Sequence, residues 1–382
     1  MQKLRATRIV PFTAIAAFAA LSVATPSFAQ ADVTIDDALS QSASGATIPL
    51  SKYTFSGSRG DYTGVLVGGD PFNPKPVTIN AVLIPLIIQV VKPDLKTVVT
   101  FDPTAGDSCD GGAVPIFRFL FSPLALPAAN LTFNGVNVGS TEYIDGFMKA
   151  EWWNKTGGSS SYSNYIDWAV ANPVYFPLVA LPPNGTVSDP GCSEGGEKGV
   201  ISQDFFESIM TSLIIPSLQS TGVISPTKFA FFLTKSVTLS KTSGGIIGGK
   251  HYHTGSPVQT WAWAPYNNVF DVELASHEIG EWMNDPLGIN SSPSWGYIGE
   301  RKDECTSTFE VGDPLDGKAV VLQSVLSPYT YHVQELAFFS WFFDDKDATS
   351  VGAGGKFSSN GTFTGPSKPC LPGGTPGGTY VR

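Results

Sequence analysis

The 382-residue chain contains little histidine, little cysteine and fewer basic than acidic residues. Histidine occurs four times, so chemistry that depends on imidazole must use His251, His253, His277 or His332. The 23 basic residues are outnumbered by 33 acidic ones, which argues against nucleic acid and anionic membrane surfaces as partners. The sequence also lacks a Gly-x-Ser-x-Gly element and a phosphate-binding glycine loop, which disfavours serine hydrolases and nucleotide enzymes.

The four cysteines are widely spaced, and no Cys-x-x-Cys pair suggests a metal knuckle or a redox centre. In an exported protein such cysteines are expected to form two disulfides, although sequence alone leaves three pairings open. We favour Cys109 with Cys192 and Cys305 with Cys370, because each bond then ties together a loop-rich half of the chain.

Residues 1–29 have the pattern of a signal peptide. Lys3, Arg5 and Arg8 precede an apolar stretch, and Ser27-Phe28-Ala29 places small residues at the cleavage site. We therefore expect a secreted, periplasmic or extracellular protein whose mature charge is −13 instead of −10. Val77–Val91 is the most apolar later run, but it is too short to span a bilayer and contains Pro85, so we predict a buried strand and no membrane insertion after signal removal.

The mature chain is expected to form one catalytic unit between two loose segments. Residues 30–69 are rich in Ser and Gly and are predicted to be a flexible leader, and residues 349–382 are predicted to be a Gly/Ser/Pro-rich tail. Between them, residues 70–348 alternate apolar strand-like runs with helix-like segments. This order predicts an α+β fold with a mixed β-sheet packed on helices.

The segment Ser276–Trp282 contains a His-Glu-x-x-Glu motif on a predicted helix. His277 and Glu281 are four residues apart and share one helix face, whereas Glu278 projects about 100° round the axis. Asn267 or Asn268 can cap the helix, and Asp285-Pro286 marks its end. Gly280 in mid-helix costs about 1 kcal/mol relative to Ala, which predicts a close approach of another group to the backbone there.

This motif resembles that of the Glu-type zincin metallopeptidases, with Glu281 in place of their second metal-binding His and Glu300 at the spacing of their downstream Glu. The resemblance implies a zincin-like fold in which the metal helix follows an edge strand, here Val258–Trp263, with a loop-rich C-terminal subdomain. It implies metal binding by His277, Glu281 and Glu300, with Glu278 as general base. The expected cofactor is a divalent metal, zinc first, with Mn or Ca as alternatives because two carboxylate ligands favour harder cations.

A fainter resemblance links the chain to the plant phosphate-induced, Exordium-like extracellular proteins. It is carried by the His-Glu-x-x-Glu stretch, by Asn290 and Trp295, and by the Glu-x-x-Asp-x-Cys order of residues 300–305. This resemblance implies an extracellular protein and no particular activity.

Several other residues allow two interpretations. His251 and His253 alternate on a predicted strand, and one of them could join His277 and Glu281 on a metal in place of Glu300. His332 could stabilise an oxyanion as a catalytic residue or could have a hydrogen-bonded structural role. The acidic residues Glu310, Asp313 and Asp316 could ligate Ca²⁺, although we favour a solvated turn.

The function predicted from these features is that of an exported metallopeptidase acting on a protein or peptide. The alternative is a non-catalytic extracellular or cell-surface binding protein with a structural metal. Such a protein could bind extracellular polysaccharide through aromatic faces such as those of Trp261 and Trp263, although both are equally compatible with a buried core.

Overall fold

The computed structural model describes residues 33–370 except 93, 95, 159–160, 181–183, 297–304, 346–347 and 352–354. The predicted signal peptide and residues 371–382 lie outside the described residues. The described chain is a mixed α+β fold, as predicted, and it contains more strands than helices.

Seven α-helices and nineteen strands are present in the described residues. The helices are α1 (Ile35–Ala43), α2 (Pro115–Leu120), α3 (Tyr143–Glu151), α4 (Gln203–Ile209), α5 (Ile215–Ser220), α6 (Glu273–Asn284) and α7 (Phe339–Phe343). The strands of the first half are β1 (Leu50–Gly57), β2 (Gly60–Val67), β3 (Pro76–Val91), β4 (Val98–Phe101), β5 (Ala128–Phe133), β6 (Val136–Thr141), β7 (Ser163–Val170), β8 (Val174–Tyr175) and β9 (Gly185–Ser188). Those of the second half are β10 (Lys198–Ser202), β11 (Phe229–Lys235), β12 (Val237–Ser240), β13 (Ile246–Ile247), β14 (Lys250–Thr254), β15 (Gln259–Tyr266), β16 (Ser291–Gly296), β17 (Cys305–Thr308), β18 (Ala319–Leu322) and β19 (Tyr331–Gln334).

The largest sheet has the order β7, β3, β11, β15 and β14, with β4 and β8 pairing along the far end of β3. The first four strands are parallel, and β14 is antiparallel to β15. Val77–Val91 forms a buried strand as predicted. The prediction that Val258–Trp263 is the sheet edge is wrong, because β14, which precedes β15 in the chain, pairs antiparallel with it and occupies the edge position.

Helices cover both faces of this sheet. On one face, α3 and α6 pack on alternate apolar residues of the strands, such as Ile79, Phe231 and Ala262. On the other face, the helical segment from α4 to α5 packs against Trp261, Trp263 and their neighbours. This segment contains a π-helical turn at Met210–Ile214, close to Pro216, which has no N–H for the helical ladder.

The segment before residue 70 belongs to the fold. Thr34 caps α1, and β1 and β2 form an antiparallel hairpin along eight residue pairs. Tyr53 and Leu66 on this hairpin are buried in the same core as α6. The prediction of a flexible leader is therefore wrong for residues 33–69. Apolar residues between the Ser and Gly positions are buried and hold this segment against the core.

Two disulfides join the described cysteines in the predicted pairs, Cys109 with Cys192 and Cys305 with Cys370. Such bonds are typical of proteins that fold in an oxidising, extracellular environment. The second bond and the buried Phe357 and Phe363 hold part of the predicted tail against the core. Across the described ranges, no helix combines the length and apolar character needed to cross a membrane.

Candidate functional site

The helix that carries the His-Glu-x-x-Glu motif is α6, and it begins later than its capping residues predict. Asn267 Oδ1 accepts hydrogen bonds from the N–H groups of Val269 and Phe270, so it closes a separate turn. Asp271 then has a φ of 38°, which interrupts the helical backbone before Glu273. The predicted end is correct, because Asp285 accepts hydrogen bonds from the N–H groups of Ile289 and Asn290 beyond the helix.

The close approach predicted at Gly280 is present. A Cβ at this position would lie 2.7 Å from Leu336 Cδ1, just beyond β19. Glycine thus lets the chain after β19 pack directly against α6. This packing holds one side of the helix while the opposite side carries the polar motif.

The polar side of α6 brings His277 and Glu281 together at the predicted helical spacing. His277 Nε2 lies 3.1 Å from Glu281 Oε1 and 3.7 Å from Asp313 Oδ1. These three side chains form one group whose ligand atoms all lie within 4.8 Å of one another. The spacing is compatible with a bound divalent cation, since donors about 2.1 Å from zinc lie about 3.4 Å apart.

The edge strand β14 supplies a second imidazole to the same cluster. His251 is paired with Ala262 across the strands, so its side chain points to the sheet face that α6 covers. His251 Nδ1 lies 3.5 Å from Glu278 Oε2 and 3.7 Å from Glu281 Oε2. On the other side of the ring, Nε2 lies 3.8 Å from Glu310 Oε2.

The loop between β17 and β18 completes the cluster because glycine allows it to touch the motif. A Cβ on Gly312 would lie 2.7 Å from His277 Nδ1, so a larger residue would push the loop away from the ring. The N–H groups of Gly312 and Asp313 donate to Glu281 Oε1 at 3.3 and 3.1 Å. These bonds hold Glu281 in place and bring Asp313 beside His277.

Burial makes the electrostatics of the cluster strong, since its six side chains are between 6% and 21% exposed. Burial alone would lower the pKa of His277, but the surrounding carboxylates, Glu281 first among them, together outweigh burial and raise that pKa well above the usual value. Burial likewise works against a low pKa for Glu281, yet His277 lowers it. For Glu278 burial dominates and raises the pKa.

Glu310 is the least compensated member of the cluster. Burial, followed by repulsion from Glu281 and other carboxylates, raises its pKa well above the usual value. Among the described residues, Glu310 Oε2, Glu278 Oε2 and His251 Nδ1 are buried without a hydrogen-bond partner. Other buried polar atoms of the described residues also lack a hydrogen-bond partner, but His251 Nδ1 and Glu278 Oε2 lie together beside Glu281, which fits a bound ion.

Three of the five predicted site residues lie together in the cluster. His277, Glu278 and Glu281 lie in the cluster, whereas Glu300 lies outside the described residues. His332 lies on β19, where its Nδ1 is 2.8 Å from Asp271 Oδ2 and its side chain is 45% exposed. That contact is the hydrogen-bonded alternative for His332, and its catalytic role stays a prediction.

Two interpretations of the sequence are corrected. Glu310 and Asp313 belong to the buried cluster, so the favoured solvated turn is wrong for them. The sequence feature that could have indicated burial is Val311-Gly312, an apolar residue and a glycine between these two acidic residues. Trp261 and Trp263 are fully buried beneath α4, so their faces are core surfaces and are not open to a sugar.

The arrangement contains two imidazoles and four carboxylates drawn from a helix, an edge strand and a loop. Neutral imidazole and carboxylate groups are ligands for zinc, and carboxylates also suit manganese and calcium. Chemically the cluster can bind a divalent cation next to a buried carboxylate that is able to accept a proton.

Comparison with protein-family models, with curated proteins and with solved structures found no match to this chain.

Proposed function

We propose that the protein is an exported metal-dependent hydrolase, most simply a metallopeptidase with a zincin-like arrangement. The observation that carries the proposal is the pairing of His277 with Glu281 in a buried cluster that leaves Glu278 Oε2 without a hydrogen bond. His277 and Glu281 would hold the metal, and Asp313 is the further donor that the described structure offers, with Glu300 as a predicted one.

A divalent metal bound there would supply Lewis acidity and lower the pKa of a water molecule. Glu278 is the group that would accept the proton of that water. Its pKa is raised by burial, which suits a base working near neutral pH better than an exposed carboxylate does. The N–H groups of Gly312 and Asp313 orient Glu281 so that its position does not depend on the substrate.

A peptide is the substrate class that the surrounding sheet favours. The strand β14 pairs with β15 and with no other described strand, and it carries His251 into the cluster. An extended peptide could add to such an edge by main-chain hydrogen bonds, which would bring a scissile bond toward α6. The mixed sheet with α6 directly after β15 supports the zincin-like part of the proposal.

The test is Glu278→Gln, which keeps the size of the side chain and removes its charge. We expect peptidase activity to fall by at least about 100-fold, the scale of general-base catalysis, while at least one metal ion per chain is retained. Activity on a quenched peptide library and metal content by elemental mass spectrometry are measured on the same preparation. Unchanged activity in this variant would contradict the role of Glu278.

A structural metal in an extracellular binding protein is the second candidate. The observation that favours it is the burial of the cluster, in which the side chains of His251, Glu278 and Glu281 are each only 6% exposed. In that case Glu281→Ala releases the metal and lowers stability, but the metal-loaded wild type cleaves no peptide in the library. Metal-free wild type, purified without chelators, would contradict both candidates.

A further inference from the structure

We propose that the cluster on α6 is a two-cation centre in which Glu281 bridges the ions through its two carboxylate oxygens. The inference rests on the proposed metal site and adds a second ion to it. The two oxygens of Glu281 face different imidazoles, since Oε1 lies 3.1 Å from His277 Nε2 and Oε2 lies 3.7 Å from His251 Nδ1.

Each side of Glu281 has a complete group of three donors. On one side these are His277 Nε2, Glu281 Oε1 and Asp313 Oδ1, and on the other they come from His251, Glu278 and Glu281. Each group thus contains one imidazole and two carboxylates. Glu281 is the one residue common to both groups, which is the geometry of a bridging carboxylate.

The second group is independently supported by two buried atoms that lack a hydrogen-bond partner among the described residues. His251 Nδ1 and Glu278 Oε2 are buried, face each other at 3.5 Å and accept or donate no hydrogen bond. At that distance they leave room for an ion between them and Glu281 Oε2. A single ion at His277 would leave these two atoms in contact with each other only, 3.5 Å apart, and with Glu281 Oε2.

Glu310 has the position of a residue that orients a metal-binding imidazole. Its Oε2 lies 3.8 Å from His251 Nε2, on the side of the ring opposite to Glu278 and Glu281. Metal-binding histidines commonly direct their second ring nitrogen to a carboxylate, which fixes the ring and strengthens its donor atom. Glu310 would do this for His251 and would not itself touch the ion.

With two ions, Glu278 would be a ligand of the second ion in place of the general-base role that it would have at a single-ion site, so its substitution has a distinct effect. Glu278→Gln should then release one of two ions, whereas a purely basic role for Glu278 leaves the metal content unchanged. The two-ion centre and the single-ion hydrolase therefore differ in a quantity that does not depend on activity.

The experiment is titration of chelator-treated full-length mature protein with Mn²⁺. Bound metal is counted by elemental mass spectrometry, and paramagnetic resonance reports whether the ions are adjacent. We expect two ions per chain with a spin-coupled spectrum. His251→Ala and His277→Ala should each retain one ion with an uncoupled spectrum, and Glu281→Gln should lose the coupling. Glu207→Gln is the matched control, because Glu207 contacts Lys250 and Tyr252 from the opposite face of β14 and should leave two coupled ions.

The outcomes separate the proposals. One ion in the wild type, lost in both histidine variants, overturns the two-ion centre and leaves the single-ion site intact. Two uncoupled ions place the second one elsewhere and also overturn the inference. Absence of bound metal overturns the metal site as a whole. Because truncation of a buried imidazole can unfold a protein, His251→Asn is compared in parallel, and the wild-type count and spectrum decide the question if both variants unfold.

Discussion

Asp145 on α3 and the His-Glu cluster on α6 lie on the same face of the main sheet and show two different ways of burying carboxylates. On α3, Asp145 accepts hydrogen bonds from Lys149 Nζ at 2.7 Å, Thr141 Oγ1 at 2.5 Å and Ser163 Oγ at 3.0 Å, and also from the N–H of Asn164. Its charge is matched by the ammonium of Lys149 four residues later on the same helix.

In the α6 cluster the carboxylates lie next to histidines and to one another. Three polar atoms of the cluster have no hydrogen-bond partner among the described residues. A buried charge is tolerated when it is paired and fully hydrogen-bonded, as for Asp145. The network around Asp145 is therefore complete within the chain. The α6 cluster instead groups imidazoles and carboxylates that could hold an ion.

The largest effect is expected from breaking the α3 network. Lys149→Met removes the cation and leaves Asp145 charged and buried, so we expect the free energy of unfolding to fall by about 3–5 kcal/mol. Urea denaturation measures this loss. Added Zn²⁺ or Mn²⁺ should not restore it, because the missing charge is not in the α6 cluster.

A second substitution controls for the loss of packing around Lys149. Combining Lys149→Met with Asp145→Asn should recover part of the lost stability, since the unpaired charge is then absent. No recovery in the double variant would show that the network contributes little through its charges.

The next effect concerns Glu142, the residue before α3. Burial raises its pKa to about 8, so the folded state holds a proton that the unfolded chain releases near its ordinary value of 4.5. The contribution of Glu142 to stability is therefore complete below pH 4.5 and is lost as the pH rises to about 8, by up to about 1.4 kcal/mol per pH unit.

Glu142→Gln should remove this slope, because the amide keeps an acceptor for the N–H of Ile166 and does not ionise. Unfolding free energies of the variant and the wild type are compared between pH 5 and pH 9. Parallel curves would show that Glu142 does not carry the proton.

The smallest effect tests how the loop reaches α6. Gly312→Ala should lower metal affinity by about 10-fold, because its Cβ would meet the His277 ring and shift Asp313 and the backbone donors of Glu281. Affinity is measured by competition with a chromophoric chelator. Gly365→Ala, where a Cβ would meet nothing within 4 Å, should leave affinity unchanged. Equal affinities of the two variants would contradict the packing role of Gly312.

Local features of the chain were predictable to different degrees. The buried strand β3, the end of α6 and the close contact at Gly280 follow from apolar runs, a carboxylate before proline and a costly glycine. The start of α6 did not follow, because Asp271 bonds to the N–H of His332 on β19, and that contact is far away in sequence.

For the candidate site, the sequence by itself determined the pairing of His277 with Glu281, since a four-residue spacing on a helix places two side chains together in any fold. It also determined that some group must approach Gly280. The tertiary structure alone decided that His251, Glu310 and Asp313 join them. Their approach depends on an antiparallel strand taking the sheet edge and on a loop that passes over Gly312, and such contacts arise from packing between segments that are distant along the chain.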